Sequence, residues 1–509
     1  MKRFLFLISS IIISETIAQK NDYIWLFGYR SELIDSNLGY GGFDFDFNQN
    51  PFQIKKHSRE MHLTGADASY CDKDGNLKLY ANECFMANQF DRRVKGGDSL
   101  FNYSRIKGGN CYLGEPVSGN SIFLPDFSSS KIVHYLMLVD RGLRLPIDSI
   151  DGITYDKYLL HSKIDLDSNN NEAEVIISNR VILEDTFALY GLKSCKHVDK
   201  KSWWIILKKL MSHQFVRILV NEDTIYQVGI QSMGNYKNYN FYGSGNGTSA
   251  FSPDGKKYAW YDPYNDLNIY DFDRSTGLLS NYRKIVIQDS LTGGGLAFSP
   301  NSKFAYTTSL YDLYQIDLEE KDTSRIIEHI SHYSGNLCPI SKTSSAYYNL
   351  LLGPDCRIYM NTPGSVTCMH VINSPDRKGK ACNFVEQGIM LPYRNGINIP
   401  NFPHYRIDNT YPCDSNIRTR ILDIPSDDIQ ANIYYYRQSE EIVILANWNQ
   451  TNKPMIRLFD LLGRELLRKK LSTNLEEQHF TCSNLPNGLY IFQLNSGKAR
   501  IASGKIFID

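Results

Sequence analysis

The feature that most constrains this chain is a turn that recurs between matching strands. Gly247-Thr-Ser-Ala-Phe-Ser-Pro-Asp-Gly-Lys-Lys-Tyr-Ala-Trp260 aligns with Gly294-Gly-Leu-Ala-Phe-Ser-Pro-Asn-Ser-Lys-Phe-Ala-Tyr306. Each runs from an apolar strand through a Ser-Pro-Asp/Asn turn into a second strand rich in Tyr and Ala. A third strand ending in an acidic turn follows, Leu267–Asp271 in one copy and Leu313–Asp317 in the other. Leu350–Met360 with Val366–Val371 is a further copy, and three weaker ones centre on Asp74, Asp126 and Asp199. The six turn positions, Asp74, Asp126, Asp199, Asp254, Asn301 and Asp355, lie between 47 and 73 residues apart. The longest interval also holds Tyr158–Asp165 and Glu174–Ser178, which read as outer strands of the same unit.

A unit of three or four short antiparallel strands cannot bury its apolar face alone, so neighbours must stack. Pro-Asp and Asp-Gly pre-set or invert φ where a tight turn needs it, which explains their constant offset. Four-stranded units at this spacing predict an all-β chain built as a β-propeller. Six copies are visible, with Ile24–Phe27 and Gly396–Ile407 left over at the ends. Pairing early and late strands in one sheet would close the ring and remove exposed edges. The expected count is about seven blades, with six or eight as alternatives.

Composition narrows the function. The 509 residues carry 55 Lys+Arg and 55 Asp+Glu, so no net charge draws the chain to nucleic acid or an anionic membrane. Aromatic residues reach 13%, of which 34 are Tyr, as half-buried strands favour. Met1–Ala18 has the plan of a secretory signal peptide: Lys2 and Arg3, an apolar stretch from Phe4 to Ile13, then Thr16-Ile-Ala18 before a cleavage point at Gln19. That stretch is too short to span a bilayer, and no later segment is apolar for long enough. Ten cysteines, at 71, 84, 111, 195, 338, 356, 368, 382, 413 and 482, include no Cys-x-x-Cys pair and suit a few staples in an exported chain.

The repeats resemble those of TolB-like propellers. Residues 22–408 also resemble an exported propeller family without an assigned role. Its marks are Ile24-Trp-Leu-Phe-Gly28, Asp72-Lys-Asp-Gly75, Lys196–Trp204 and Asn398-Ile-Pro-Asn-Phe402. A turn-rich linker is expected over 409–430, followed by a small antiparallel β-sandwich over 431–509. In that last segment Asp460-Leu-Leu-Gly-Arg464, Leu485-Pro-Asn-Gly-Leu-Tyr490 and Lys505-Ile-Phe-Ile508 resemble the type A sorting domain of type IX secretion cargo. The resemblance implies that Asp460, Leu462, Gly463, Arg464, Leu485, Pro486, Gly488, Tyr490 and Lys505 form the sorting signal. It also implies the general export machinery and the type IX machinery as partners, and delivery to the surface or exterior of a Gram-negative cell. The family's usual Tyr-Pro-Asn-Pro opening is replaced here by Ile433-Tyr-Tyr-Tyr-Arg-Gln438.

No catalytic, cofactor-binding or metal-binding set stands out. Gly97-Asp-Ser-Leu100 spells an esterase motif but lies in a polar stretch without a late Asp-x-x-His. Asp165-Leu-Asp-Ser-Asn-Asn-Asn171 alternates oxygen ligands, yet Asn170 and Ile176 replace the Gly and Glu of a calcium loop, so a solvated hairpin turn is expected. Ser252-Pro-Asp-Gly255 misses the spacing of a sialidase box. His329 and His332 lack a third ligand nearby in sequence. The expectation is therefore a non-enzymatic module binding an extracellular protein or glycan. The alternatives are a hydrolase or lyase with its site at the propeller channel, or a structural surface-layer component.

Overall fold

The computed structural model divides the chain into two units, residues 1–418 and 419–509. Outside the described residues lie 1–18, 31–38, 101–119, 140–144, 236–246, 288–293, 408–412, 414–430, 437–440, 447–453, 473–476 and 482–484, with a few single residues and pairs. The signal peptide and nearly all of the expected linker fall there.

Among its described residues the first unit holds seven antiparallel sheets of three or four strands, plus the small hairpin of Leu145–Ile147 and Ile150–Ile153. In chain order their first strands are Ile24–Gly28, Ala68–Cys71, Ser121–Pro125, Lys193–Lys196, Thr248–Phe251, Leu296–Phe298 and Leu350–Leu352. Each of these is an edge strand of its sheet, with later strands added outward in sequence. First strands of successive sheets also pack side by side, as Thr248–Phe251 does on Leu296–Phe298. This is the construction of a β-propeller.

The turns are built as the repeat demands. Ser252 Oγ donates to Asp254 Oδ1 at 2.5 Å and accepts from the Lys257 amide at 2.9 Å, while Gly255 takes φ +69°. The sixth sheet repeats the pattern: Ser299 Oγ donates to Asn301 Oδ1 at 2.8 Å and accepts from the Phe304 amide at 3.0 Å. Asp126, Asp199 and Asp355 likewise take backbone amides between the first and second strands of their sheets. In the second sheet the acceptor is Asp72, two residues before the Asp74 of the alignment.

A buried apolar cluster lies between every neighbouring pair of these sheets. Trp203, Ile205 and Leu207 of the fourth sheet meet Ile122, Leu124 and Leu136 of the third. Trp203 Nε1 donates to Pro125 O at 3.0 Å, and Trp204 Nε1 reaches the fifth sheet at Arg274 O, 2.9 Å away. The circuit is completed by Trp25, Phe27, Phe43 and Phe45 of the first sheet packing on Tyr359, Met369 and Val371 of the seventh. Among the described residues no early strand shares a sheet with a late one, contrary to the expectation. Ile24–Gly28 pairs with Gly42–Asp46, which pairs with Gln53–His57, so the leftover N-terminal strand founds a sheet of its own. The first and seventh sheets therefore meet face to face through this aromatic contact. Two described disulfides, Cys338–Cys368 and Cys356–Cys413, lie late in the unit. Cys84 is also disulfide-bonded, Cys71 and Cys382 are free and buried, and Cys195 is a buried thiol that donates to Lys196 O at 3.8 Å.

The second unit has two antiparallel sheets among its described residues. One contains Ala431–Tyr436, Glu441–Ala446 and Glu477–Thr481; the other Pro454–Phe459, Glu465–Lys470, Gly488–Ser496 and Ala499–Ile508. Burial alternates along the strands, with Ile442, Ile444, Ile456, Leu458, Tyr490, Phe492 and Leu494 inward.

Burial holds several imidazoles of the first unit neutral. His62, His134, His370 and His404 are lowered to about 4 by desolvation. His161, also next to His134, is lowered to about 3. His134 and His161 meet at 3.0 Å inside the third sheet. The unfolded chain would protonate these residues first, near 6.5, so they make stability fall as pH drops from about 6.5 toward 4. His57 acts oppositely: hydrogen bonds to Asp44 and Asp91 raise it to about 9. Its contribution is complete below about 6.5 and lost as pH rises through 9. Melting temperature measured against pH should therefore decline on both flanks, and His57→Gln should flatten only the alkaline one.

Candidate functional site

The first candidate is the turn of the second unit that joins Pro454–Phe459 to Glu465–Lys470. Gly463 sits at φ +83°, a conformation that costs any residue with a Cβ. Asp460 organises the turn: its Oδ1 accepts the Arg464 amide at 2.9 Å and its Oδ2 accepts Arg464 Nε at 2.6 Å. Two backbone bonds close the turn: Asp460 N donates to Arg464 O and Gly463 N donates to Asp460 O, each at 3.0 Å. The Asp-x-x-Gly-Arg pattern is thus a self-capped hairpin turn. Gly463 and Arg464 are exposed, leaving the loop's outer side available to a partner.

The other sorting residues are placed around the same sheet. Gly488 opens the central strand opposite Ile508, and Ile491 pairs with Lys505 on the final strand. Tyr490 is buried, at 5% exposure, whereas Leu485 is half-buried. Leu462 and Pro486 lie outside the described residues, as does the Lys505 side chain.

The second candidate is the axis of the propeller. Gly396–Ile407 runs across the inner edges of the sheets. Asn398 Nδ2 donates to Leu26 O of the first sheet at 3.1 Å. Asn401 Nδ2 donates both to Ser121 O of the third sheet, at 3.0 Å, and to Leu192 O beside the fourth, at 2.8 Å. Tyr405 Oη donates to Phe123 O at 3.1 Å, and His404 Nε2 stands 3.1 Å from Phe251 O of the fifth sheet. Asn361 of the seventh sheet donates to Ile397 O at 2.6 Å. At the far end Arg406 forms a buried two-point ion pair with Asp22, at 2.5 and 2.8 Å.

The space beside this segment is small. A cavity of about 20 Å³ is lined by Tyr190, Lys193, Thr248, Asn349, Ile399 and Pro400, among others. Lys193 Nζ donates to Asn401 Oδ1 at 2.5 Å, and desolvation lowers it to about 8. No Asp, Glu or His lines that cavity among the described residues. Between the fourth and fifth sheets a second cavity, about 10 Å³, is lined by Lys208, His213, Trp260, Asn265, Asn268 and Tyr270 among others. Lys208 Nζ lies 5.2 Å from the Trp260 ring centroid and donates to Ser212 O at 2.7 Å.

The remaining sequence candidates fall elsewhere. His329 and His332 lie on a strand, Ile327–His332, and both contact Asp312 Oδ1, at 2.7 and 2.9 Å. Asp312 is distant in sequence, which is why sequence spacing does not show it. No group of three metal-ligating side chains suited to an ion occurs among the described residues. Asp165–Asn171 forms the turn between Asp156–Asp165 and Glu174–Phe187, with Asn169–Asn171 left-handed and Asp167 paired to Lys131 Nζ at 2.6 Å. Ser99 of the esterase-like tetrapeptide lies outside the described residues.

Comparison with known families addresses the second unit. Residues 438–509 match the secretion system C-terminal sorting domain. The protein is accordingly a secreted or surface protein of the type IX route, carrying a propeller, and export machinery is among its partners. No helix of the described residues is long and apolar enough to cross a membrane. No curated protein matches the chain. Among solved structures, a periplasmic gluconolactonase of Pseudomonas aeruginosa aligns at 12% identity and a TM-score of 0.35, over 96% of this chain and 98% of that one. The Swd1 β-propeller domain of Myceliophteria thermophila aligns at 9% identity and a TM-score of 0.38, over 67% and 94%. At those scores neither likeness carries an argument about activity.

Removing Lys453–Asp509 should leave the protein in the periplasm, measured by surface labelling and cell fractionation. Gly463→Val should weaken surface delivery and destabilise the second unit by about 1 kcal/mol or more.

Proposed function

We propose that the chain is a non-enzymatic binding module, displayed on or released from the cell, whose propeller presents loops to an extracellular protein or glycan. The observation that carries this reading is the Gly396–Ile407 segment lying on the inner-edge carbonyls of the sheets. A catalytic channel needs convergent acids or imidazoles around a space that admits substrate. Here the described cavity beside the axis has room for about one water and a lining of amide, hydroxyl, ammonium and apolar groups. In this reading each sheet is a blade of a ring of about seven, and the TolB-like character rests on the resemblance of the Ser-Pro-Asp/Asn repeats alone.

The second unit is read as a type A β-sandwich; what supports this is the buried Ile442 and Ile444 in one sheet and the buried Ile456, Leu458, Tyr490 and Phe492 in the other. Within it Asp460, Gly463, Arg464 and Tyr490, with Leu462, Leu485, Pro486, Gly488 and Lys505, serve as the sorting signal. What supports that role is the rigidity of the Asp460–Arg464 turn and the family match.

The test is a glycan array and a panel of extracellular protein fragments, screened with residues 19–509. Saturable binding without product is expected. Release of reducing ends or of new peptide termini from the bound class would overturn the reading in favour of a hydrolase or lyase.

A further inference from the structure

The Gly396–Ile407 segment does more than occupy space. Its side chains reach backbone carbonyls of the first, third, fourth and fifth sheets, and Asn361 ties it to the seventh. Ile397 N also donates to Thr64 O at 3.1 Å, just ahead of the second sheet. One extended strap therefore spans most of the circuit, and Asn401 alone bridges the third and fourth sheets. Six residues beyond Ile407, Cys413 is bonded to Cys356, which lies in the turn between the first and second strands of the seventh sheet. Both cysteines are buried.

We infer that the strap is the clasp of the propeller and that Cys356–Cys413 is its lock, so ring closure is completed by oxidation. The chain before Gly396 contains all seven sheets but leaves inner-edge carbonyls such as Leu26 O and Ser121 O without these donors. An anchored end raises the strap's local concentration at the axis, so it rebinds after each opening. Forming the lock joins the two Sγ atoms. The thiols give up two protons and two electrons, which an oxidised dithiol carrier accepts as its own disulfide opens. Such carriers act outside the cytoplasm, the compartment to which the chain is exported.

The lock has an internal control. Cys338–Cys368 also touches the seventh sheet, through Val366–Ile372, but does not hold the strap. The experiment is native-state amide hydrogen exchange on residues 19–509, comparing Cys413→Ser, Cys338→Ser and Asn401→Ala. Cys413→Ser should speed exchange about tenfold or more in Ser121–Pro125 and Lys193–Lys196, strands remote from Cys356. Cys338→Ser should leave those strands unchanged. Asn401→Ala, with both disulfides intact, should loosen the same two strands. If Cys413→Ser affects only Leu350–Met360, the clasp is overturned. Should both cysteine variants fail to fold, unchanged exchange in Asn401→Ala overturns it, and loosened strands uphold it.

Discussion

Every sheet in a ring has an inner edge, and every inner edge carries backbone groups that need partners. Buried carbonyls without donors are costly, at about 1–3 kcal/mol each. In this propeller several of the donors at the axis come from side chains of one late segment. Asn398, Asn401 and Tyr405 each place an N–H or O–H on an inner-strand carbonyl. The rest of the ring depends on that provision. Neighbouring sheets are held by apolar clusters, which attract without fixing register. The strap's hydrogen bonds are directional and fix where each inner edge sits.

The same constraint bears on function. Ile399 and Pro400 line a cavity of only about 20 Å³ beside the axis, and in the proposed binding role it is the loops that meet the partner. Loops can vary in sequence while the sheets they join keep their packing. The sorting unit follows similar logic on a small scale. Asp460 and Gly463 lock a turn whose backbone is satisfied internally, leaving Gly463 and Arg464 outward.

Much of the fold was legible in the sequence because turn chemistry is local. Ser252 and Asp254, and again Ser299 and Asn301, bond to amides a few residues away, so their spacing is written in the chain. The outer strands of the long unit, Asp156–Asp165 and Glu174–Phe187, include the expected Tyr158–Asp165 and Glu174–Ser178 of the longest interval between turns. Ring closure was not legible. Expecting early and late strands to share a sheet is sound when repeats are counted, but Phe43 and Phe45 supply the N-terminal strand with local partners. The strap was visible only as an unexplained Asn-Ile-Pro-Asn-Phe, because its bonds join residues more than 200 positions apart, as Asn401 and Ser121 do. Asp312 beside His329 and His332 escaped because it stands on the neighbouring strand, 17 and 20 positions away, and only strand pairing brings it to them.

Residues beyond Asn395 complete the ring although those described up to Arg418 add no strand to it. Urea unfolding followed by circular dichroism should be compared for chains ending at Asn395 and at Arg418, each beginning at Gln19. The longer chain is predicted to unfold in one cooperative transition, and the shorter to lose cooperativity or to unfold at much lower urea. Equal midpoints and equal slopes for the two would contradict the account.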